Sequence, residues 1–412
     1  MYKNSLQSSY PEISETRMKL NQQLHKIRQS PTVAITDRIL ALSASGQKII
    51  PLQVGDPDFA TPPAVLDSAA KAMRDGLTHY APSRGFDELR LAISTKLLRD
   101  NGLSYQPETE ILVTHGSIHA YYLAVQSLLE PGDEVLIPDP TWMTHVNMVK
   151  MLRGKVIHVP ASSENGFIPP IETWTKSLTD KTRMIVLNYP SNPTGAYPSR
   201  DYLAQLMGFA EKHDLWVISD EVYENIYYGD KPVSAGEFSG AKERTIIVNS
   251  LSKTYAMTGW RVGYMAAPAL VIENALKASQ NSITCVSPFV QKAAAFALTD
   301  RRIQEAAAEM RAAYARRREL VLRIAGEVGK NPLQIKPPQG AFYFFLDFRS
   351  LKMSSLEICE QILDEVGVGL VPGSAFGKMG EGFVRMAITA SDEAVETGFK
   401  AILAWANKQV GG

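Results

Sequence analysis

The chain has 412 residues, 43 of them basic and 43 acidic, so its formal net charge at pH 7 is zero. A chain of this length can bury a sizeable core in two domains, or in one large domain with a smaller appendage, and its balanced charge gives no reason to expect nucleic acid as a partner. Its two cysteines, Cys285 and Cys359, lie far apart and in no ligand spacing, which predicts a reducing compartment and no metal site.

In chain order, the first ~30 residues are polar, have no apolar core like that of a signal peptide, and predict an arm. No apolar run reaches the roughly 18 residues needed to span a bilayer, so the expectation is a soluble, cytoplasmic protein without a membrane partner. Between residues 110 and 250, short apolar runs alternate with helical patterns. "EILVT" precedes a helix opening at "GSIHAYYLAVQSLL", and "EVLIPDP" precedes the stretch from Trp142 to Leu152. "KVIHVPA", "RMIVLNYP", "LWVISDE" and "TIIVNS" continue the series, with a helix over Ser199–His213. Strands that are apolar throughout and separated by helices predict a mostly parallel sheet covered on both faces. Ligands of such sheets gather at the carboxyl ends of the strands, where "THGS", "NYPSNPTG", "SDEVY" and "NSLSK" fall. From about residue 270 the pattern turns helical, with a long helix near "MRAAYARRRELVLRIAGEV". A second mixed unit follows: "LQIKPP", "AFYFFLDF", the helix "SLEICEQILDEV", "VGLVPG", "FVRMAIT" and a last helix.

Taken singly, the polar clusters are ambiguous. Gly116 and Ser117 stand at a strand-to-helix turn, where free N–H groups and the helix dipole favour an anion. His115 and His119 have the i, i+4 spacing of a metal pair but lack a third ligand, so no metal is expected. No G-x-G-x-x-G or G-x-x-x-x-G-K-[ST] occurs, which argues against a dinucleotide or a nucleoside triphosphate. Arg385, inside the apolar "FVRMAIT", needs an anion, and its planar guanidinium suits a carboxylate. Lys253, eight residues before Arg261, is the candidate amine. A lysine for an imine, an aspartate for a pyridinium nitrogen, a phosphate cradle and a carboxylate clamp are together what pyridoxal 5'-phosphate requires.

These residues resemble the class I aminotransferases of fold type I, in the branch holding many bacterial aspartate, aromatic and alanine aminotransferases. The resemblance runs from about Ser30 to the C-terminus through "VGDPDFATP", "HYAPSRG", "PGDEV", "NYPSNPTG", "SDEVY", "SLSKTYAMTGWRVGY", "GAFYFF", "VPGSAFG" and "VRMAIT", in the family's order. It implies an α/β protein: a large domain with a mostly parallel seven-stranded sheet between helices, and a smaller α+β domain. The expected division is an arm over 1–30, a small-domain segment over 31–60, the cofactor-binding domain over 61–300 and the small domain over 301–412.

The resemblance also implies roles. Lys253 matches the Schiff-base lysine, whose ammonium both Arg261 and desolvation disfavour. Asp220 matches the carboxylate on the pyridine nitrogen. Tyr223 and Asn192 match the partners of the ring's O3′ oxygen, Asn192 also reaching the substrate carboxylate. Trp142 matches the aromatic stacked on the pyridine face beside the substrate. Ser250, Arg261, the backbone of Gly116, Ser117 and Ile118, and Ser252 match the phosphate cradle. Tyr80 matches a tyrosine that reaches the neighbouring subunit's phosphate, which implies a homodimer with shared sites. Arg385 and the backbone of Gly55 match the substrate carboxylate clamp.

Departures from the pattern bear on the amino donor. Aspartate-specific members of the branch resemble the chain at Ser30 and Thr32, which help hold a distal carboxylate, but place a lysine where Ile118 stands. His145 occupies a position where tyrosine is common. Arg84 stands where many members have a small residue, and reads as an interface cation in preference to an anion clamp. The expected activity is amino transfer between an amino acid and a 2-oxo acid, from a donor with a neutral or basic side chain. The alternatives are a lyase or other enzyme working through a Cα carbanion on the same scaffold, or an aspartate/prephenate-type aminotransferase. A transcription regulator built on this body is not expected, because the ~30 residues before the resemblance are few for a DNA-binding domain.

Overall fold

The computed structural model describes Asn21, Leu24, Ile27 and residues 31–328 and 331–410. The expected arm over 1–30 therefore lies almost wholly outside the described residues.

Six strands alternate with helices as the apolar runs predict. They are β2 (Ile111–Thr114), β3 (Glu134–Asp139), β4 (Lys155–Pro160), β5 (Thr182–Asn188), β6 (Trp216–Asp220) and β7 (Thr245–Ser250), preceded in the chain by the two-residue β1 (Ile50–Pro51). With β8 (Gly263–Ala266) they form one seven-stranded sheet in the order β2-β8-β7-β6-β5-β3-β4. Only β8 runs against its neighbours, pairing antiparallel with both β2 and β7. The four-residue β8 was not among the expected strands, because it continues directly from the turn after Lys253.

Alternate residues of each strand enter opposite layers, as the two-residue period demands. On β5, Met184 and Val186 join a cluster with Leu123 and Ile272, while Ile185 and Leu187 join another with Leu203 and Leu206. Helix α4 (Gly116–Leu128) supplies Leu123 and α8 (Ala269–Ser282) supplies Ile272. Both Leu203 and Leu206 lie on α7 (Arg200–Lys212), whose N-cap Ser199 accepts a hydrogen bond from the Tyr202 N–H. Burial on both faces explains why β5, β6 and β7 read as apolar runs rather than alternating ones. Strand β4, an edge strand that pairs with β3 alone, is half exposed, whereas β2 at the other edge is buried throughout.

The C-terminal unit is a three-stranded antiparallel sheet of β11 (Val371–Pro372), β12 (Phe383–Ala387) and β9 (Tyr343–Asp347), with β1 paired to β10 (Val368–Gly369) nearby. "VGLVPG" is thus two short strands in two sheets, not one. "LQIKPP" forms no strand and contributes only a bridge from Gln334 to Asp347. Helix α11 (Ser355–Val366) opens on a capping box in which Ser354 and Glu357 satisfy each other's backbone N–H groups. Leu52 packs in the same cluster as Phe344, Met386 and Trp405, so the segment around β1 belongs physically with the C-terminal unit. The long α10 (Arg301–Glu327) enters that cluster through Met310, Tyr314 and Val321. A polar tie joins the large sheet to the C-terminal unit: Asp139, at the end of β3, accepts from the Lys378 and Met379 N–H groups in the turn between β11 and β12, both at 3.1 Å.

Candidate active site

The carboxyl ends of β5, β6 and β7 deliver Asn188, Asp220 and Ser250 side by side, with Asn188 registered against Asp220. They open into a cavity of about 250 Å³ that Gly55, Ser117, Ile118, Trp142, Asn192, Tyr223, Ser252, Lys253, Arg261 and Arg385 also line. Among the predicted site residues, Gly116 and Tyr80 do not line it. Gly116 opens α4 at φ +74°, and a Cβ there would come 2.7 Å from Arg261 Nη2. Tyr80 is 89% exposed.

Lys253 lies in the turn after β7. The turn is closed by backbone bonds from Tyr255 to Leu251 (3.2 Å) and from Met257 to Ser252 (3.1 Å). Ala256 (φ +51°) and Arg261 (φ +52°) adopt left-handed backbone in this segment, at a cost of about 1–3 kcal/mol each that the surrounding packing has to offset. The Lys253 ammonium donates to the Gly55 carbonyl at 2.7 Å. Burial pulls its pKa down to about 8; Asp56 opposes the shift, while the guanidiniums of Arg385 and Arg261 add to it. Arg385's part in this was not expected from the sequence.

Asp220 is buried, and its Oδ2 lies 3.0 Å from His145 Nε2. The His145 ring also packs against Tyr121 at 4.6 Å and edge-on to Trp142 at 5.2 Å. His145 is therefore corrected from a donor-selecting residue to a support beneath Asp220: it is fully buried and does not line the cavity. Arg84 is not a clamp either, since it donates to the Thr109 carbonyl at 3.2 Å and is absent from the lining. Ser30, and the side chain of Thr32, lie outside the described residues.

Tyr223 and Tyr343 share a hydroxyl hydrogen bond of 2.9 Å. Burial holds both phenols protonated by pushing their pKa values up. Tyr343 is a lining residue that sequence reasoning missed; its signal was the tyrosine inside "GAFYFF". Asn188 Oδ1 accepts from the Asn192 N–H at 3.0 Å and so shapes the proline-rich turn. Arg385 donates to Asn192 Oδ1 and to the Gln53 carbonyl, both at 2.8 Å, and lies 4.4 Å from the Tyr343 ring centroid. Gly55 and Arg385 line the same cavity, where the Gly55 carbonyl accepts from Lys253 and the Gln53 carbonyl from Arg385.

Two features test whether a phosphate-bearing pyridine fits. Arg385 Nε is buried and without a partner among the described residues, so one edge of the guanidinium still faces unmet demand for an acceptor. At the other end, the start of α4, Arg261 and Ser250 converge where a Cβ on Gly116 would collide with the guanidinium. Between them stand an acceptor carboxylate at Asp220 and an amine at Lys253. The donor set fits a pyridoxal phosphate with an amino acid beside it.

An α/β sheet with that donor set at its strand ends defines an enzyme of the pyridoxal phosphate class. A sequence profile described as aminotransferase class I and II matches residues 47–402, and the chain belongs to that family. It is 42% identical to the aspartate aminotransferase of Pyrococcus abyssi over 87% of this chain and 92% of the relative. It is 40% identical to aromatic-amino-acid aminotransferase 2 of Thermococcus litoralis over 92% and 96% of the two chains. The solved aspartate aminotransferase from Thermus thermophilus with maleate superposes with a TM-score of 0.89 at 36% identity, covering 94% of this chain and 99% of that one. The protein is an amino acid aminotransferase, and the cofactor of its family is pyridoxal 5'-phosphate. No helix among the described residues is long and apolar enough to cross a membrane.

Proposed function

We propose that the cavity transfers an amino group from an amino acid with a neutral or basic side chain to a 2-oxo acid, with Lys253 moving the proton. The observation that carries this reading is the depressed Lys253 amine standing in one cavity with Asp220, Tyr223, Asn192 and Arg385. The bound cofactor would supply an aldehyde carbon and a ring that accepts electrons from the substrate Cα. Ser250, Ser252, Arg261 and the N–H groups of Gly116, Ser117 and Ile118 would hold its phosphate. Asp220, oriented by His145, would hold its ring nitrogen protonated, and Trp142 would cover one ring face. The phenol of Tyr223 and the amide of Asn192 would meet its ring oxygen. Arg385 would grip the substrate carboxylate, giving up its bond to Asn192 Oδ1 or filling its free Nε. Lys253, whose pKa of about 8 gives it a usable share of free amine near neutral pH, would take the substrate Cα proton and hold it for return.

Exposure of Tyr80 outside its own cavity supports a homodimer in which each subunit's Tyr80 serves its neighbour's phosphate. The packing of Leu52 with the C-terminal cluster supports grouping 31–60 with 301–412 as one small domain against 61–300. A reducing, cytoplasmic setting belongs to the same proposal, Cys285 and Cys359 both being free thiols.

Donor choice follows from the cavity lining. Ile118 is part of it, and the only lysine or arginine side chains lining the cavity among the described residues are Lys253, Arg261 and Arg385. All three have roles already, so a second carboxylate would lose water without gaining a cation, at a cost of several kcal/mol. Relatives named aspartate aminotransferase make aspartate the competing donor. Measured kcat/KM for aspartate, alanine, an aromatic amino acid and arginine decides between them. Aspartate is expected to be poorer than the aromatic donor by at least about tenfold; aspartate as the best donor would overturn the donor assignment.

A further inference from the structure

Four buried polar side chains outside the cavity lead to its phosphate end. Lys96 and Asn101 lie on α3 (Asp87–Asn101), Glu224 follows Tyr223, and Asn249 precedes Ser250. All four are buried, and none lines the cavity. Lys96 Nζ forms a short ion pair with Glu224 Oε1 and donates to Asn101 Oδ1 at 2.9 Å. Asn101 Nδ2 donates to Glu224 Oε2 at 2.9 Å. Asn249 Nδ2 donates to Glu224 Oε1 at 2.6 Å, while Asn249 Oδ1 accepts from the Ser250 N–H at 2.7 Å.

The chemistry of the two ends fixes the Asn249 amide. An ionised carboxylate only accepts and a backbone N–H only donates, so the flipped amide would face both partners wrongly. The amide is thus stretched between Glu224 and the Ser250 backbone, with a charge-assisted bond on one side. Gly263 shows why its position matters. A Cβ there would meet the Asn249 carbonyl at 2.7 Å, the Gly116 carbonyl carbon at 2.7 Å and the Ser117 nitrogen at 2.9 Å. The strand end carrying Ser250 and the first turn of α4 therefore meet across a single glycine. A buried ion pair contributes little net stability over apolar residues of the same shape, so its value here has to lie in what it fixes.

We propose that Glu224, fixed by Lys96 and Asn101, is a positioning residue that acts through Asn249 to set the Ser250 turn against α4, and so makes the site select a phosphate-bearing pyridoxal over one without phosphate. The inference rests on the reading above that Ser250, Arg261 and the start of α4 hold the cofactor phosphate.

Dissociation constants of pyridoxal 5'-phosphate and of pyridoxal, measured by equilibrium dialysis on cofactor-free protein, test it without any turnover. The ratio of the two reports the phosphate grip alone, whereas a loss of fold lowers both affinities together. Asn249→Ala is expected to cut the ratio by about tenfold, the effect of losing one well-made hydrogen-bond link to a charged group. Lys96→Met with Glu224→Leu removes both charges at once, avoids leaving one buried ion unpaired, and is expected to cut the ratio similarly. Lys96→Met with Glu224→Gln keeps an acceptor for Asn249 and is expected to stay within about threefold of the unaltered protein. An unchanged ratio in both Asn249→Ala and the Met/Leu variant overturns the positioning role. An unaltered protein that binds the two compounds equally overturns the phosphate reading itself, and the positioning role with it.

Discussion

An amine buried beside two guanidinium groups gives up its proton more readily than one in water, and Lys253 is such an amine. Its ordinary value of 10.5 falls to about 8. The fraction of free amine at neutral pH rises by more than two orders of magnitude for such a shift. In cofactor-free protein, labelling of Lys253 by a small acylating reagent should therefore rise with pH to a midpoint near 8. The sign of each neighbour's contribution follows from its charge. Arg385→Leu removes a cation that disfavours the ammonium, so the midpoint should move up. Asp56→Asn removes an anion that favours it, so the midpoint should move down. A midpoint near 10.5 in the unaltered protein would show that burial and the two cations do not act on this amine. The shift toward free amine was legible in the sequence because Arg261 is close in the chain. The larger push from Arg385 was not, because it depends on a strand from the other sheet arriving at the same cavity. His145 was misread for a related reason. Its place along the chain was legible, but only the fold brings the ring, packed against Tyr121 and Trp142, to Asp220.

At the scale of elements, the site depends on how closely the end of β7 and the start of α4 approach across β8. Gly263 is the contact point, and the atoms that a Cβ would strike are all backbone, with no flexible side chain to give way. Gly263→Ala should therefore push the two phosphate-binding ends apart. We expect a stability loss of about 1–3 kcal/mol, seen as a lower urea midpoint, and weaker pyridoxal 5'-phosphate binding by dialysis. A variant with native midpoint and native affinity would show that the approach is looser than described. The doubly buried β5, β6 and β7 were readable from sequence because burial on both faces leaves long apolar runs. Strand β8 and the split of "VGLVPG" were not readable. Neither stands as a separate apolar run, and their pairing partners are distant in the chain. The capping box at Ser354 and Glu357 shows the opposite case, a boundary written wholly in local sequence.

Across the whole molecule, the cavity lies between two sheets, and groups from both reach Lys253. Gly55 and Arg385 come with the C-terminal unit, Asp220 and Ser250 with the large sheet. The proposed homodimer would add a third source, Tyr80, which is exposed and does not line its own chain's cavity. The α/β fold was legible from the alternation of strands and helices, and the cofactor class from the polar clusters at strand ends. The dimer rests on resemblance and on the exposure of one tyrosine. The most direct measurement is amino transfer from an aromatic amino acid to 2-oxoglutarate by Lys253→Ala protein, alone and after mixing with an equal amount of Tyr80→Phe protein. Alone, Lys253→Ala should lose about 10²–10⁴ in rate, the usual contribution of a proton-moving group. After subunit exchange, half the dimers are hybrids with one intact site, so transfer should approach about a quarter of the unaltered rate if Tyr80→Phe alone is nearly inactive. Undiminished transfer by Lys253→Ala alone would contradict the account at its centre.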